Sequence, residues 1–589
     1  MTNARHGDEV VLHGVGVSPG VVTGPAFLMA SETIQFVERE VPESEIDLEI
    51  ARFESAIIET RRQIKIIQGE LTRQTSMDNG VILTAHLMVL DDNAIVEEII
   101  DGIRKRRINA EPVVKDVVGK YAAVLASMSD EYLRERVADV KDVARRVLRN
   151  LSGTAAVSLS NMAQPQIVIS DDLAPSETAA LRKENVAGFA TNLGSATCHT
   201  AVLARALEIP AVVGLLDITS HVKAGDEILI DGNKGIVIVC PTAERLEEYG
   251  RVAEERNSIA KELGNLRLEP AETTDGHRIT LSANTEGIEE LNAVWQYGAE
   301  GVGLFRSEYL FLASNRMVEE EEQFEVYRRV VEGVKPASVI IRTLDIGGDK
   351  FMPGAASRES NPFLGCRSIR LSLLHPEEFK KQLRAILRAS AYGNVKIMYP
   401  MISRLSEVLR ANELLEEAKQ ELTLKKTVFQ RDIDVGVMVE IPCAALMADT
   451  LAKHVKFFSL GTNDLIQYTL AVDRRNERVA SLYEPTHPSV LKLIHETVMA
   501  GHRHGIWVGV CGEMAADPLM TPLLMGLGVD ELSVAPSAVP LVKDAVRSVS
   551  FARAKELAVL ALDCQTGAEV LEHCRKLTSE VAPELLELV

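Results

Sequence analysis

The hydrophobic residues follow a strand pattern at the start of the chain and a helical pattern after it. Residues 10–29 are rich in β-branched side chains and are interrupted by glycine and proline, which predicts short strands and tight turns. From about Pro42 the apolar positions recur every three or four residues, and this spacing predicts helices as far as about Leu151. Because strand-type sequence resumes at residues 167–175 and continues to Pro241, we expect a helical bundle inserted into a strand-rich domain.

The second half of the chain repeats one unit, a short β-type run followed by a helix-length segment. Before it, residues 244–263 predict a helix whose faces are nearly all charged, as in helices that connect domains. The eight runs that follow are RITLSAN, GVGLF, SVIIRTLDI, VKIMYP, VGVMVEI, KFFSLG, IWVGVC and DELSVAP. Eight alternations over about 320 residues predict a (β/α)₈ barrel, with an open doubly wound sheet as the alternative. In a barrel, polar residues at the carboxyl ends of the strands share one face, where the chemistry is expected.

These patterns divide the chain into the parts of a multidomain α/β protein. A discontinuous N-terminal α/β domain covers residues 1–40 and 152–240, and an α-helical bundle covers residues 41–151. A linker helix over residues 241–268 precedes a C-terminal (β/α)₈ barrel over residues 269–589.

Composition and charge narrow the class of protein. With 64 basic against 85 acidic residues the net charge is −21, which opposes nonspecific binding to nucleic acid or to anionic lipid. No apolar run approaches the roughly 18 residues of a membrane span, and the start of the chain lacks the apolar stretch of a signal peptide. The seven cysteines form no CxxC pair, a pattern typical of reduced thiols. We therefore expect a cytoplasmic protein that binds anions only in a local basic pocket.

Two carboxylates mark the predicted active face of the barrel. Glu440 lies at the end of the fifth β-type run and Asp464 follows the sixth, so the two lie one β-α-β unit apart, at neighbouring strand ends. Such a pair suits Mg²⁺, which takes one or two protein carboxylates and completes its octahedron with water and substrate oxygens. A salt bridge with a neighbouring arginine is the alternative explanation.

Basic and polar side chains lie at the same strand ends. Asp345 lies at the end of the third run, and Asn463 directly precedes Asp464. The arginines in these segments are Arg306, Arg342, Arg367 and Arg474. Their planar donor groups suit a phosphate or a carboxylate, whereas an ordinary surface arginine is the alternative for each.

Cys511 and His199 are the two candidate reactive residues. Cys511 ends the seventh run, where a thiol can give a proton to an enolate carbon, although strand-end cysteines commonly serve only as small buried apolar residues. His199 lies in a small-residue turn that leads into a helical pattern, where backbone N–H groups and the helix dipole favour a phosphoryl group. Imidazole is a good nucleophile near neutral pH, but a histidine at a helix start commonly caps or packs.

Several strings, in a fixed order, carry a family resemblance. They are GVGVSPG near the start, DEYLRERVADVKDVARRVL in the bundle, TCHTAVLARALEIPAVVG around His199, and GVGLFRSEYLF, IIRTLDIGGDK, VMVEIP, LGTNDLIQYTLAVDR and GVCGEMA in the barrel. From Gly14 to the C-terminal region the chain resembles phosphoenolpyruvate-protein phosphotransferase, enzyme I of the bacterial sugar phosphotransferase system. The resemblance implies a phosphohistidine α/β domain, a carrier-binding bundle and a barrel that binds phosphoenolpyruvate.

The resemblance also implies a role for each candidate residue. His199 is the nucleophile that attacks the phosphorus of phosphoenolpyruvate, giving phosphohistidine and pyruvate, and Thr178 orients its imidazole. Glu440 and Asp464 match the Mg²⁺ ligands, and Cys511 matches the acid that protonates enolpyruvate at C3. The residues that match the grip on phosphate and carboxylate are Arg306, Arg342, Asn463 and Arg474, with Arg367 as a further supporting arginine.

The same resemblance implies two protein partners. A histidine phosphocarrier protein is expected to dock on the bundle near His86 and to receive the phosphoryl group, and a second copy of the chain is expected to pair with the barrel. Because His199 and the barrel site lie in different domains, the linker must let the histidine move between two stations.

The chain departs from the family pattern at a few positions. The family usually has GGRTSH where this chain has GSATCH, so Ala196 replaces arginine and Cys198 replaces serine. Arg475 replaces a common glycine. These changes bear on phosphohistidine stabilisation, on carrier preference and on the loop that carries Arg474.

Two other functions compete with this one. Pyruvate phosphate dikinase and phosphoenolpyruvate synthase share the phosphohistidine domain and the barrel type, but both need a nucleotide-binding domain, and no ATP-binding segment is evident in the chain. A sensor or adapter that binds phosphoenolpyruvate without turnover is the other alternative. A pure sensor has no need of a proton donor such as Cys511.

Overall fold

Met1–Glu254 and Glu255–Val589 form two separate units. The structure is a computed structural model that describes residues 9–587 apart from several short stretches. These stretches are residues 19, 30–35, 75–85, 88, 91–92, 128–130, 154–164, 174–184, 195–199, 202–203, 205–208, 251–262, 315–316, 348–360, 475 and 477. His199, Thr178 and Arg475 therefore lie outside the described residues.

A mixed sheet forms the strand-rich part of the first unit. Its strands are β1 (Val10–His13), β2 (Val15–Ser18), β3 (Val21–Met29), β4 (Gln166–Ser170), β5 (Val186–Thr191), β6 (Ala211–Val213), β7 (Glu227–Asp231) and β8 (Ile236–Val239). They are ordered β1-β8-β7-β3-β4-β5-β6-β2, with β3 to β6 parallel and the outer pairs antiparallel. The successive residues Val168 and Ile169 of β4 belong to two different apolar cores, so both faces of the sheet are covered.

A helical bundle interrupts this sheet in the sequence. Its long helices are α1 (Ile46–Gln74), α2 (Asn93–Arg106), α3 (Ala110–Ser127) and α4 (Glu131–Ser152). They lie between β3 and β4, two strands that pair directly with each other. The bundle core contains Phe53, Ile64 and Ile103, spaced as one apolar stripe on each helix. The inserted bundle is thus confirmed, and a short helix, α5 (Ile218–His221), follows in the sheet domain.

The second unit is built on a closed parallel barrel. Its strands are β9 (Thr280–Thr285), β10 (Val302–Arg306), β11 (Ser338–Arg342), β12 (Asn394–Tyr399), β13 (Asp434–Val439), β14 (Phe457–Leu460), β15 (Trp507–Val510) and β16 (Glu531–Val534). Each pairs in parallel with the next, and β16 pairs with β9. The barrel is therefore confirmed, and the open doubly wound sheet is excluded.

Helices follow the barrel strands along the chain. They are α6 (Leu291–Gln296), α7 (Glu308–Ser314), α8 (Glu320–Gly333), α9 (Ile369–Leu374), α10 (Pro376–Ala389), α11 (Leu405–Leu424), α12 (Pro442–Leu446), α13 (Ala448–Leu451), α14 (Thr462–Leu470), α15 (Pro488–Arg503), α16 (Thr521–Gly526), α17 (Val539–Arg547), α18 (Phe551–Asp563) and α19 (Gly567–Val581). Their apolar faces and the outward residues of the strands share one large core. None of the described helices combines the length and the apolar character needed to cross a lipid bilayer.

Aromatic rings and one lysine fill the barrel near the amino-terminal ends of its strands. The rings of Phe457 and Trp507 stack with their centroids 4.6 Å apart, and the Lys396 ammonium lies 4.8 Å from the Trp507 centroid. Gly436 makes room for this layer, since a Cβ there would lie 2.3 Å from the Phe457 ring. This end of the barrel is a packed core, and polar chemistry is left to the carboxyl ends of the strands.

Candidate active site at the carboxyl end of the barrel

Three carboxylates meet at the carboxyl ends of the barrel strands. Asp345, Glu440 and Asp464 each bring an oxygen within 4.8 Å of the others. They follow β11, β13 and β14, and parallel strands of a closed barrel end on one face. Glu440 is only 2% exposed and accepts a hydrogen bond of 2.5 Å from the backbone N–H of Met401. The structure thus brings the predicted pair together and adds Asp345 to it.

The cluster holds more negative charge than its surroundings balance. Burial, and then the neighbouring carboxylates of Asp345 and Asp464, raise the pKa of Glu440 well above its usual range. Burial also raises the pKa of Asp464, against the opposing effect of Arg367. Burial acts on Asp345 in the same direction, but its ion pairs with Arg342 and Arg367 outweigh it and lower the pKa of that carboxyl. Such a cluster is suited to a divalent cation, which would favour the ionised form of all three groups.

Two arginines lie directly against the carboxylates. Arg342 contacts Glu308 and also Asp345, the latter at 3.2 Å. Arg367 lies 2.9 Å from Asp345 and 3.8 Å from Asp464. Both arginine side chains are largely buried, at 12% and 13% exposure. They bind a carboxylate here, and their fixed planar geometry also suits a phosphate.

The two remaining arginines are also paired with carboxylates. Arg306 lies 2.6 Å from Glu286, and Arg474 lies 2.6 Å from Glu513. The backbone N–H of Glu513 donates to the side-chain oxygen of Asn463 at 2.9 Å, so Asn463 and Arg474 meet at one residue. Within the described part of the chain, every predicted phosphate-binding arginine therefore has an acidic partner.

Two donor atoms in this group remain open. The Nε atoms of Arg306 and Arg342 are buried and have no hydrogen-bond partner among the described residues. Buried N–H groups are nearly always satisfied in folded proteins. These two donors therefore indicate a site for an anionic ligand, on the side of the barrel formed by the ends of β10 and β11.

Cys511 lies directly after β15 and is buried at 4% exposure. Its Sγ lies 3.7 Å from the carbonyl oxygen of Leu460, and it packs against Met438 in the barrel interior. Burial raises the pKa of the thiol, against a lowering by the hydroxyl of Ser459. The side chain is therefore a neutral thiol at neutral pH, a form that can donate a proton and can also pack as a small apolar residue.

Gly512 holds the Cys511 loop against the helix that carries two site residues. A Cβ at Gly512 would lie 2.0 Å from the Thr462 hydroxyl and 3.0 Å from the backbone nitrogen of Asn463. Only glycine allows this approach of the loop to the start of α14. The contact fixes Asn463 and Asp464 relative to Cys511.

The structure gathers most of the predicted residues at one place. Among the described candidates, the barrel residues Arg306, Arg342, Arg367, Glu440, Asn463, Asp464, Arg474 and Cys511 all follow or end barrel strands on one face. The predictions for His199 and Thr178 lie outside the described residues. The acidic partners of the arginines were missed, namely Glu286, Glu308 and Glu513, and Asp345 was not assigned to the carboxylate cluster. Glu308 and Glu513 stand within two residues of a predicted site residue, and that was the available signal.

Family models match the chain in three consecutive segments. The N-terminal domain of the phosphoenolpyruvate-utilising enzymes matches residues 13–136, and the mobile domain of the same enzymes matches residues 162–235. Their phosphoenolpyruvate-binding domain matches residues 260–551, which include the whole carboxylate and arginine group.

Curated relatives match nearly the whole chain. A phosphoenolpyruvate-protein phosphotransferase of Staphylococcus carnosus is 42% identical over 96% of this chain and 99% of its own length. One of Listeria monocytogenes is 40% identical over 97% of this chain and 99% of its own. An NMR solution structure of Enzyme I, 41% identical, covers 42% of this chain and 99% of its own, with a TM-score of 0.38. The chain therefore belongs to the phosphoenolpyruvate-protein phosphotransferase family, the enzyme I proteins of the phosphotransferase system, and is an enzyme of phosphoenolpyruvate-dependent phosphoryl transfer.

Proposed function

We propose that this enzyme transfers the phosphoryl group of phosphoenolpyruvate to its own His199, releases pyruvate, and passes the group on to a histidine phosphocarrier protein. The observation that carries the proposal is the group of side chains on the barrel face, where the buried Glu440 and two half-buried aspartates lie beside arginines with open donor atoms. Phosphoryl transfer needs positioning and charge neutralisation more than covalent chemistry, and this face offers both.

The arginines act on the substrate anion. Arg306 and Arg342 direct their open Nε donors to the phosphate and carboxylate oxygens, and Asn463 and Arg474 bind from the segment that follows β14. Their positive charge stabilises the negative charge that spreads over the phosphoryl oxygens as the P–O bond breaks. Arg367 has a supporting role, because its ion pairs hold the carboxylates of Asp345 and Asp464 in place.

The carboxylates fit a metal ion. Glu440 and Asp464 are the proposed Mg²⁺ ligands, and the raised pKa of Glu440 reflects a charge that a cation would balance. When bound, Mg²⁺ supplies charge neutralisation at the substrate oxygens. Asp345 lies close enough to hold both flanking arginines in place around such an ion.

The proposed reaction transfers one phosphoryl group to His199 and one proton to C3 of enolpyruvate. The imidazole of His199 forms a bond to phosphorus while the bond from phosphorus to the enol oxygen breaks, and the electron pair leaves with enolpyruvate. Cys511 then gives its thiol proton to C3 of that enolate, which yields pyruvate, and the thiolate regains a proton from water. The raised pKa of the buried thiol suits an acid that must hold its proton until the enolate forms.

The partners are proposed at separate surfaces. On α1, Leu48 and Ile58 are 72% and 63% exposed, an apolar surface of the kind a docking carrier would cover. His86 itself is fully buried, so the carrier would contact the surface around it.

Exposed Leu446 and Leu482, on segments that follow barrel strands, support a homodimer through the barrel.

The cellular setting and the domain limits complete the proposal. Among the described residues, the five cysteines Cys240, Cys443, Cys511, Cys564 and Cys574 are free thiols, which supports work in the reducing cytoplasm. The phosphohistidine domain would span residues 1–40 and 152–240 around the carrier-binding bundle of 41–151, with the linker and barrel meeting at about residue 269.

A single incubation tests the first half of the reaction. The purified chain is mixed with Mg²⁺ and phosphoenolpyruvate, and its mass is followed under alkaline conditions together with pyruvate release. One phosphoryl group on His199 and an equal amount of pyruvate are expected, with neither in His199→Ala. Phosphorylation of His199→Ala would contradict the assignment, ligand binding without pyruvate would favour the sensor, and a requirement for ATP would favour a dikinase-like enzyme.

A further inference from the structure

A cavity lies at the amino-terminal end of the barrel strands, at the end opposite the carboxylate cluster. It has a volume of about 320 Å³ and is formed by α11, the first residues of β13 and the segment that leads into β14. β13 and β14 run from this cavity to Glu440 and to Asp464. The cavity and the catalytic face therefore lie at opposite ends of the same two strands and share no lining residue.

Basic side chains dominate the lining of the cavity. Lys419, Lys453, His454 and Lys456 face one acidic residue, Glu416. Glu416 is already paired with Lys419 at 2.7 Å. Asp449, on α13, pairs with Arg503 at the end of α15 and with His504 directly after it.

The other three basic residues have no acidic partner in the described part of the chain. Among the described residues, Lys453, His454 and Lys456 form neither an ion pair nor a side-chain hydrogen bond. In a chain with a net charge of −21, two unpaired lysines in one concavity give a local positive field that attracts anions. A lysine ammonium binds phosphate as a point charge and does not require the planar two-point geometry that an arginine uses.

The other lining groups describe the rest of the ligand. The side-chain oxygen of Asn412 is buried and has no hydrogen-bond partner among the described residues, so it can accept from a ligand hydroxyl. Leu415, Val435 and Val455 supply apolar wall. The volume lies at the lower end of the range for small-molecule sites.

We infer that this cavity binds a small hydroxylated phosphate ester, with the phosphate between Lys453 and Lys456 and a hydroxyl on Asn412. The inference rests on the cavity alone and does not depend on the reaction proposed for the opposite end of the barrel.

The test uses the full chain with ring-labelled histidine and glycerol 3-phosphate as the probe. The His454 signal is identified by its loss in His454→Gln, and NMR titrations are run at constant ionic strength. The signal should shift saturably, and Lys453→Ala with Lys456→Ala should weaken the midpoint at least about tenfold. The His454 signal responds to binding in the cavity that it lines, so glycerol 3-phosphate that binds at the carboxylate cluster does not contribute to the measured shift.

Matched controls separate the outcomes. Lys425→Ala with Lys492→Ala removes two exposed lysines outside the cavity and should leave the midpoint unchanged. Unchanged pyruvate release from phosphoenolpyruvate in the Lys453 and Lys456 double variant shows that the barrel remains folded. No shift, or an unchanged midpoint in that double variant, would overturn the inference, and tighter binding of malate would overturn the phosphate ester in favour of a dicarboxylate.

Discussion

At the scale of single residues, every described arginine that is proposed to bind the substrate is paired with an acid. Arg306 has Glu286, Arg342 has Glu308 and Asp345, and Arg474 has Glu513. The open Nε donors show that this pairing is incomplete. Cys511 is the one proposed reactive residue of this face whose role the geometry leaves divided between proton donor and packing.

Replacement of Cys511 by alanine separates these two roles. We expect the rate of pyruvate formation to fall by about 10²- to 10⁴-fold, because a positioned acid contributes roughly that factor. Binding of phosphoenolpyruvate should change by no more than a fewfold. Rapid-quench pyruvate assays and equilibrium binding measure the two effects, with Cys443→Ala, at a half-buried thiol that follows Glu440 closely in the chain, as the control. Turnover equal to that of the parent would leave Cys511 a packing residue.

The raised pKa of Glu440 predicts a pH dependence of metal binding. A carboxyl whose pKa is raised still holds its proton at pH values where an ordinary carboxyl has lost it, and a metal ligand must be ionised. Mg²⁺ uptake should therefore release protons, and the affinity should rise with pH until Glu440 is fully ionised. Calorimetry in buffers of different ionisation enthalpy measures the proton release. A pH-independent affinity without proton release would contradict it.

A substitution at Asp345 tests how the proposed Mg²⁺ site is supported by its neighbours. Asp345→Asn keeps the shape but removes the charge that holds Arg342 and Arg367. We expect Mg²⁺ affinity to fall about 10- to 100-fold, as for other groups that orient metal ligands. Direct Mg²⁺ titration measures it, and Asp449→Asn, on an exposed ion pair of the same barrel, is the matched control. Equal affinity in Asp345→Asn and the parent would mean that the cluster needs only two carboxylates.

At the scale of elements, the contact between the Cys511 loop and the start of α14 fixes the position of Asn463 and Asp464 relative to Cys511. Gly512→Ala would force the loop away from Thr462 and Asn463. We expect a loss of about 1–3 kcal/mol in the free energy of unfolding and a larger loss in phosphoenolpyruvate binding, because Asn463 and Asp464 move together. Denaturant unfolding and ligand titration measure both. Gly264→Ala, where a Cβ meets no atom within 4 Å, should change neither.

Elements were more predictable from the sequence than the contacts between side chains. The period of apolar residues gave the bundle between Pro42 and Leu151, and eight β-type runs gave the barrel, because burial imposes those periods on any sequence. The strand ends also placed Arg342, Glu440 and Asp464 on one face. The pairing of Glu286 with Arg306 depends on loop paths, which leave no period in the sequence.

The function of the residues around His199 could not be predicted from their hydrophobic pattern. Their proposed roles come from the family resemblance alone; the mobile-domain match over residues 162–235 includes His199 but assigns no role to it. A helix-start histidine in an apolar pattern does not by itself distinguish a phosphoryl acceptor from a capping residue.

At the scale of the whole molecule, the division into two units predicts a division of labour. The second unit has its own large apolar core and contains the complete carboxylate and arginine group. A fragment of residues 255–589 should therefore fold and bind Mg²⁺ and phosphoenolpyruvate within about tenfold of the full chain. It should form no pyruvate, because His199 is absent. Circular dichroism, ligand titration and a pyruvate assay check this, and pyruvate release by the fragment would place the acceptor in the barrel.

The acidic partners of the arginines act as competitors that are tethered to the protein. An incoming anion must displace them, and a tethered group competes at a high effective concentration that does not fall on dilution. An anion with one charged group replaces one partner at most, and the others stay in place. A molecule that carries a phosphate and a carboxylate on one short skeleton displaces several at once. In the proposed function, the paired arginines would therefore favour an anion that carries both groups, and pyruvate, which keeps only the carboxylate, would leave readily as the acids return.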